Sequence, residues 1–336
     1  MHGTFYDNCQ QCPRSCRSPR AEGKRGFCGE SGELRAALAC LHFGEEPPVT
    51  VNGGSGTVFF TGCTLRCAFC QNYQISQQGM GAAITQDDFV KICLCLQGMG
   101  AENINLVTGS HHIPLLARYI RAAKEGGTKI PFAWNSSAYE SVEMLELLEG
   151  LVDIWLPDLK TLNADASKKL FAAEDYPATA QRAILWMLER SPLHTVRRDG
   201  KEKMLSGTII RHLFLPGRMD DSILTLDWLK KHADGKACIS LMSQYTPVPF
   251  TGTTEELAAR RQSLAIVENR LVNAEEDETL RDLIAVYDFD YLFYQDLSDD
   301  TSWLPDFTRP QPFSNALATP AWHWKTGFTD RAKASL

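Results

Sequence analysis

Thr57-Val-Phe-Phe-Thr-Gly62-Cys63-Thr-Leu-Arg-Cys67-Ala-Phe69-Cys70-Gln-Asn-Tyr-Gln-Ile75 is the stretch around which the chain is organised. Its apolar start, Thr57 to Thr61, predicts a strand that ends at Gly62. Cys63, Cys67 and Cys70 follow in a C-x3-C-x2-C spacing, with Phe69 before the last. Three thiolates on one short loop can hold three irons of a [4Fe–4S] cluster and leave the fourth iron open to another ligand. A zinc loop or a set of redox thiols is the other reading. Zinc sites usually show paired C-x2-C elements and a fourth ligand, and this loop has neither a matching pair nor a nearby histidine.

The chain has 336 residues, enough for one large domain or two modest ones. Apolar residues make up 44%, so a sizeable core can form. The net charge of −7 argues against tight nucleic-acid binding, which depends on neutralising phosphates. The N-terminus is polar and cysteine-rich and reads as no signal peptide. No run approaches the roughly 18 apolar residues of a membrane span. These readings predict a cytoplasmic protein without membrane contact. Eleven cysteines in that setting point to metal ligation rather than disulfides.

Cys9, Cys12, Cys16 and Cys28 precede any recognisable strand, among Pro13, Pro19, Gly23 and Gly26. Such a segment cannot build an apolar core, so four thiolates organising a metal is the expectation. Zinc and a second Fe–S cluster suit four cysteines equally. Residues 40–56 read as a linker stiffened by Pro47 and Pro48, with Glu45 and Glu46 as exposed charges rather than groups facing a substrate, the alternative, and Cys40 as a packed or incidental thiol.

Beyond the cysteine loop, strands and helices alternate. Helices are predicted over Thr85–Gln97, Leu115–Ala123, Glu140–Leu148, 165–172, 178–190, Ser222–His232 and a long Glu255–Val272. Strands are predicted over Asn103–Thr108, Ile130–Trp134, Val152–Leu156, Thr208–Leu215 and Cys238–Ser243. A hairpin turns at Asp199-Gly200. Counted from Val58, six strands predict a parallel sheet with crossover helices, and six units form a partial (β/α)6 barrel rather than a closed eight-stranded one. Three parts follow: a Cys-rich metal-binding module and linker at 1–50, the barrel at 51–250, and a C-terminal helix and aromatic extension covering it at 251–336. From Tyr291 that extension carries a further strand, then Trp303, Phe307, Phe313, Trp322 and Trp324. Its aromatics read as packing, because Asp296, Asp299, Asp300 and Asp306 oppose base stacking.

The Cys63/Cys67/Cys70 pattern after a first strand resembles the radical S-adenosylmethionine (radical SAM) superfamily. Residues 57–250 resemble more closely the pyruvate formate-lyase activating enzymes, in a branch with an N-terminal cysteine module. Gly-Thr-Val-Phe-Phe-Thr-Gly-Cys63, Cys70-Gln-Asn-Tyr-Gln-Ile-Ser and Met242-Ser-Gln-Tyr carry that likeness. The resemblance implies that SAM binds the open iron and is reductively cleaved to methionine and a 5′-deoxyadenosyl radical, which abstracts a hydrogen atom. It further implies a glycine of a partner protein as the substrate, and a flavodoxin- or ferredoxin-type electron donor. Another peptide or a small molecule is the rival substrate, and a zinc-loaded interaction protein is the rival from another class.

Ligands of such folds sit at the carboxyl ends of strands. By resemblance, Asp158 and Lys160 contact the methionine end of SAM. Asn135 and Ser136 have short polar side chains that suit ribose or carboxylate, or equally a turn. Thr108, Gly109 and Ser110 stand where the family has Gly-Gly-Glu, with His111 and His112 as candidate substitutes for the glutamate. Arg211 serves cofactor charge or structure. Tyr245 stands where activating enzymes tend to have histidine.

Overall fold

A computed structural model describes residues 3–299, 301 and 303–335, with Gly3 and Thr4 described in backbone only; Asp300 lies outside the described residues. Its centre is a parallel run of strands laid side by side in chain order. These are β2 (Ser55–Phe60), β3 (Ile104–Val107), β4 (Phe132–Ser136), β5 (Ile154–Pro157), β6 (Lys201–Leu213), β7 (Cys238–Met242) and β8 (Leu292–Gln295). The six expected strands are all present. Leu292–Gln295 joins as a further parallel neighbour, pairing Leu292 with Ile239 and Tyr294 with Leu241. The sheet does not close on itself.

The other edge departs from expectation. Arg35–His42, expected to end in linker, is a strand (β1) antiparallel to β2, pairing Cys40 with Thr57 and His42 with Ser55. Ala318–His323 (β9) adds antiparallel to β1. The reason lies in Ala36, Ala37, Leu38, Ala39 and Cys40, all without solvent exposure. Their side chains are short enough to be covered on both faces, so the run shows no period-two alternation. Cys40 is a core thiol, as are Cys93 and Cys95.

Crossover helices lie over the sheet: α1 (Gln86–Gly98), α2 (Ile113–Glu125), α3 (Ala164–Phe171), α4 (Tyr176–Arg190), α5 (Met219–His232), α6 (Thr254–Leu264) and α7 (Ala274–Tyr287). Thr85 caps α1 in a reciprocal box with Asp88. The predicted helix over 255–272 is broken. It ends at Leu264, and α7 starts afresh after Asn273, whose side chain caps Glu276 in a capping box of its own. Between them Val267 and Val272 turn inward as buried anchors. The hairpin forms as expected, with Asp199 and Gly200 both at positive φ. No helix among the described residues is long and apolar enough to cross a membrane.

Candidate metal centre and cofactor cavity

The cysteine loop leaves β2 through Gly62, whose φ is +77°. A Cβ there would stand 2.4 Å from Glu30 Cγ and 2.8 Å from the Cys28 carbonyl oxygen. That close approach brings the N-terminal module against the loop. The Cys63 amide donates to the Cys28 carbonyl at 3.1 Å. Thr61 donates its hydroxyl to Glu30 at 2.8 Å. Arg14 reaches across to the carbonyls of Thr64 at 2.8 Å and Phe171 at 2.6 Å. From the other side, Arg260 on α6 donates to the Ala68 carbonyl at 2.7 Å and to Gln77 at 2.6 Å. The loop is therefore held between two segments far from it in sequence.

Cys63, Cys67 and Cys70 line one cavity of about 550 Å³ at the carboxyl ends of the strands. Burial, then Cys63, pushes the Cys70 thiol up, and burial pushes Cys67 up against the pull of Lys160. Thiols placed so close in a dry site need cationic irons to ionise. No three His, Cys, Asp or Glu side chains among the described residues stand as the ligands of one metal ion. A cubane takes one thiolate per iron, and three thiols opening into one cavity beside Lys160 are a donor set that fits it.

Of the expected cofactor residues, Thr108, Asn135, Ser136, Asp158, Lys160 and Arg211 line this cavity with the cysteines. Lys160 pairs with Asp158 at 2.7 Å. Burial opposes the Lys160 charge, but Asp158 and Cys67 outweigh it and hold its pKa above the usual value. Tyr176 on α4 fixes this turn, donating its hydroxyl to the Asp158 carbonyl at 2.8 Å and accepting the Lys160 amide at 2.9 Å. Tyr245 also lines the cavity; its ring meets Phe69 edge-on and its hydroxyl donates to Asn269 at 2.6 Å.

Gly109 and Ser110 lie behind the wall. Gly109 packs on Leu116 and Trp134, and Ser110 donates to Glu140 at 2.5 Å. His111 and His112 do not take the place of the missing glutamate. Both are buried against the N-terminal module, where His112 Nδ1 meets the Tyr6 hydroxyl at 2.8 Å and Arg20 meets His112 Nε2 at 3.1 Å.

Two features escaped sequence reading. Glu45 and Glu46 are not exposed linker charges: both line the cavity and pair with Arg211. Burial opposes the Arg211 charge, but Glu46 and then Glu45 hold the guanidinium charged. The partnership runs between residues 165 positions apart, which no local motif signals. Glu140 is a buried carboxyl that burial pushes up, braced by Ser110 and Trp134. Trp303, Phe313 and Leu317 of the C-terminal extension also line the cavity, and Phe313 and Phe307 pack on Phe59.

In the N-terminal module Cys9 and Cys28 are buried, Cys12 half-buried and Cys16 exposed. Burial, with Cys28, Cys9 and Cys16 nearby, pushes the Cys12 thiol up to about 12. A Cβ at Gly26 would stand 3.1 Å from the Cys16 sulfur and 3.5 Å from that of Cys28.

A strand-borne three-cysteine loop opening into a cavity at the carboxyl ends of a parallel, unclosed sheet defines a class of cluster-dependent radical enzymes. A model of the Radical SAM superfamily matches residues 57–226, which is 170 of 336 residues, and the chain belongs to that superfamily. Membership implies an enzyme that uses a [4Fe–4S] cluster and SAM. An uncharacterized protein of Methanocaldococcus jannaschii, MJ0674, is 29% identical over 297 residues, covering 86% of this chain and 78% of its own. Among solved structures, Streptococcus suis SuiB bound to S-adenosylmethionine aligns at TM-score 0.44 and 14% identity over 70% of this chain, which spans about half (48%) of SuiB. HydG, the FeFe-hydrogenase maturase of Carboxydothermus hydrogenoformans, aligns at TM-score 0.41 and 14% identity, over 68% of this chain and 55% of its own. A domain of a pyruvate-formate lyase-activating enzyme from Bacteroides vulgatus aligns at TM-score 0.33 and 12% identity, over 55% of this chain and 92% of its own.

Proposed function

We propose that Cys63, Cys67 and Cys70 hold the [4Fe–4S] cluster, and that the cavity beside them takes SAM and then a substrate from which hydrogen is abstracted. When bound, cluster and SAM together supply reductive cleavage of the sulfonium to methionine and a 5′-deoxyadenosyl radical. The convergence of the three thiols with Asp158 and Lys160 on one cavity carries this reading. Lys160 offers a cation to the SAM carboxylate, and Asp158 an anion to its amino group. Thr108, Asn135 and Ser136 offer short polar groups to the remaining edges. Trp303 and Phe313 exclude water from the reaction space. The substrate we favour is a glycine Cα of a partner protein, by likeness to activating enzymes. The four N-terminal thiols are proposed to hold a second Fe–S cluster, served by a flavodoxin- or ferredoxin-type donor.

The test is anaerobic reconstitution with metal analysis and Mössbauer spectroscopy, beside a triple Cys63/Cys67/Cys70→Ala variant. Wild type should bind roughly eight irons if both clusters form and roughly four if only one does. Reduced with SAM, it should release 5′-deoxyadenosine, and the triple variant should release none. A colourless protein without product overturns the reading. A glycyl radical seen by electron paramagnetic resonance on a co-expressed partner supports the glycine substrate; its absence across partners leaves a different peptide or small molecule as the substrate.

A further inference from the structure

The cavity has two ends of opposite character. The cysteines follow the carboxyl end of β2, whereas His42 and the glutamates after it lie at its amino end, because β1 runs antiparallel and pairs His42 with Ser55. The five steps of β2 separate these levels by roughly 17 Å, at 3.3 to 3.4 Å per residue. The end near His42 carries an unbalanced charge. Glu45 and Glu46 line the cavity there against Arg211. Asp158 is satisfied by Lys160, so Arg211 alone faces two carboxylates. His42 lies 3.5 Å from Glu45, but burial, with help from Arg211, holds its pKa down and leaves it neutral.

Glu46 is well matched, because Arg211 reaches both of its oxygens. Glu45 is not. One oxygen meets Arg211, and among the described residues the other accepts only from the Asn105 amide at 3.2 Å and stands near neutral His42. Asn105, fully buried, stands on the same strand face as Val107 of the cavity wall, and among the described residues its Oδ1 has no partner. A carboxylate short of one cation, beside an unused amide acceptor, matches a group that only donates.

We infer that Glu45, held by Asn105, forms a subsite for an ammonium or guanidinium group of the substrate, so the substrate is a basic peptide. This rests on the radical reading of the same cavity. Asp158 and Lys160, beside Cys67, are the groups proposed for the cofactor, and Glu45 lies one partner further along, across Arg211, where it addresses the substrate. A lysine or arginine near the target glycine would anchor at Glu45 and hold the glycine between the two ends.

Binding without reductant tests this apart from turnover. Reconstituted wild type and Glu45→Gln are titrated, with and without SAM, with acetyl-Gly-Lys-amide and the uncharged acetyl-Gly-norleucine-amide, read by ligand-observed nuclear magnetic resonance. Wild type should favour the lysine peptide by about tenfold or more, as a charge-assisted bond allows. Glu45→Gln should erase that preference and leave the norleucine peptide unaffected. Glu45→Asp, which keeps the charge, should retain part of it and guards against misfolding. Equal binding of both peptides by wild type, or a preference that survives Glu45→Gln, overturns the subsite. So does a Glu45→Gln defect confined to SAM. If the radical reading is at fault instead, reduced wild type releases no 5′-deoxyadenosine whatever the peptides do.

Discussion

Gly62 shows how much one residue can carry. Its φ of +77° and the nearness of Glu30 and the Cys28 carbonyl leave no space for a side chain. Gly62→Ala should cost roughly 2–4 kcal/mol, from backbone strain and the forced separation of the N-terminal module. A lowered melting temperature and weaker iron retention would check this; an unchanged melt would refute it. His111 and His112 contribute to the response to acid. Burial, then the Arg20 charge, pushes His111 down to about 3; burial, then His111, pushes His112 well below its ordinary value. Among the described residues no partner meets either ring nitrogen of His111 in good hydrogen-bond geometry, and the Thr61 backbone opposes the shift only in part. The unfolded chain binds protons below about pH 6.5 that the folded chain refuses. Stability from this source is full above that pH and falls as pH drops toward 3, by about 1.4 kcal/mol per pH unit for each histidine. His111→Leu should flatten that slope in chemical denaturation between pH 5 and 7; an unaltered slope would sink the assignment.

At the scale of elements, the N-terminal module is coupled to the cysteine loop through one side chain in particular. Arg14 donates to carbonyls on the loop and at the end of α3, and its guanidinium lies 4.1 Å over the Phe27 ring. Arg14→Ala should destabilise by about 1–3 kcal/mol, the worth of a few charged hydrogen bonds and a cation–π contact. It should also open residues 9–28 to proteolysis before the barrel; simultaneous digestion of both would contradict the coupling. Most elements were legible from periodicity and caps, as with α1 behind Thr85 and the Asp199-Gly200 turn. The elements missed have physical reasons. β1 is covered on both faces by small side chains and shows no alternation. The break before α7 is marked by Asn273 and Glu276, a capping signal masked by apolar residues that continue on either side. The cysteines were legible because ligation needs a fixed local spacing. Glu45 and Glu46 were not, because their partner Arg211 comes from a strand 166 and 165 residues on, and Glu140 was not, because its partner Ser110 lies 30 residues back.

For the whole molecule, the C-terminal extension is part of the sheet and of the cavity wall. β9 covers the edge of β1 with five paired residues, from Leu38 with His323 to His42 with Ala318. Phe307 and Phe313 pack with Phe59 in an apolar cluster of their own, and Trp303 reaches the cavity. Removing residues 301–336 would therefore do two things at once. It would bare the backbone groups of β1, an apolar edge prone to pairing with other chains. It would also open the cavity to water beside the cluster loop. The truncated protein should aggregate at concentrations where the full chain stays dispersed, and amides of Arg35–His42 should exchange faster while those of β5 and β6 remain protected. Substituting only Trp303→Ala and Phe313→Ala separates the two effects, because β9 stays in place. That variant should remain dispersed and keep its cluster, yet lose it faster in air and cleave SAM with less of the radical reaching substrate. If air sensitivity and coupling are unchanged, the extension serves the sheet edge alone and the shielding role falls.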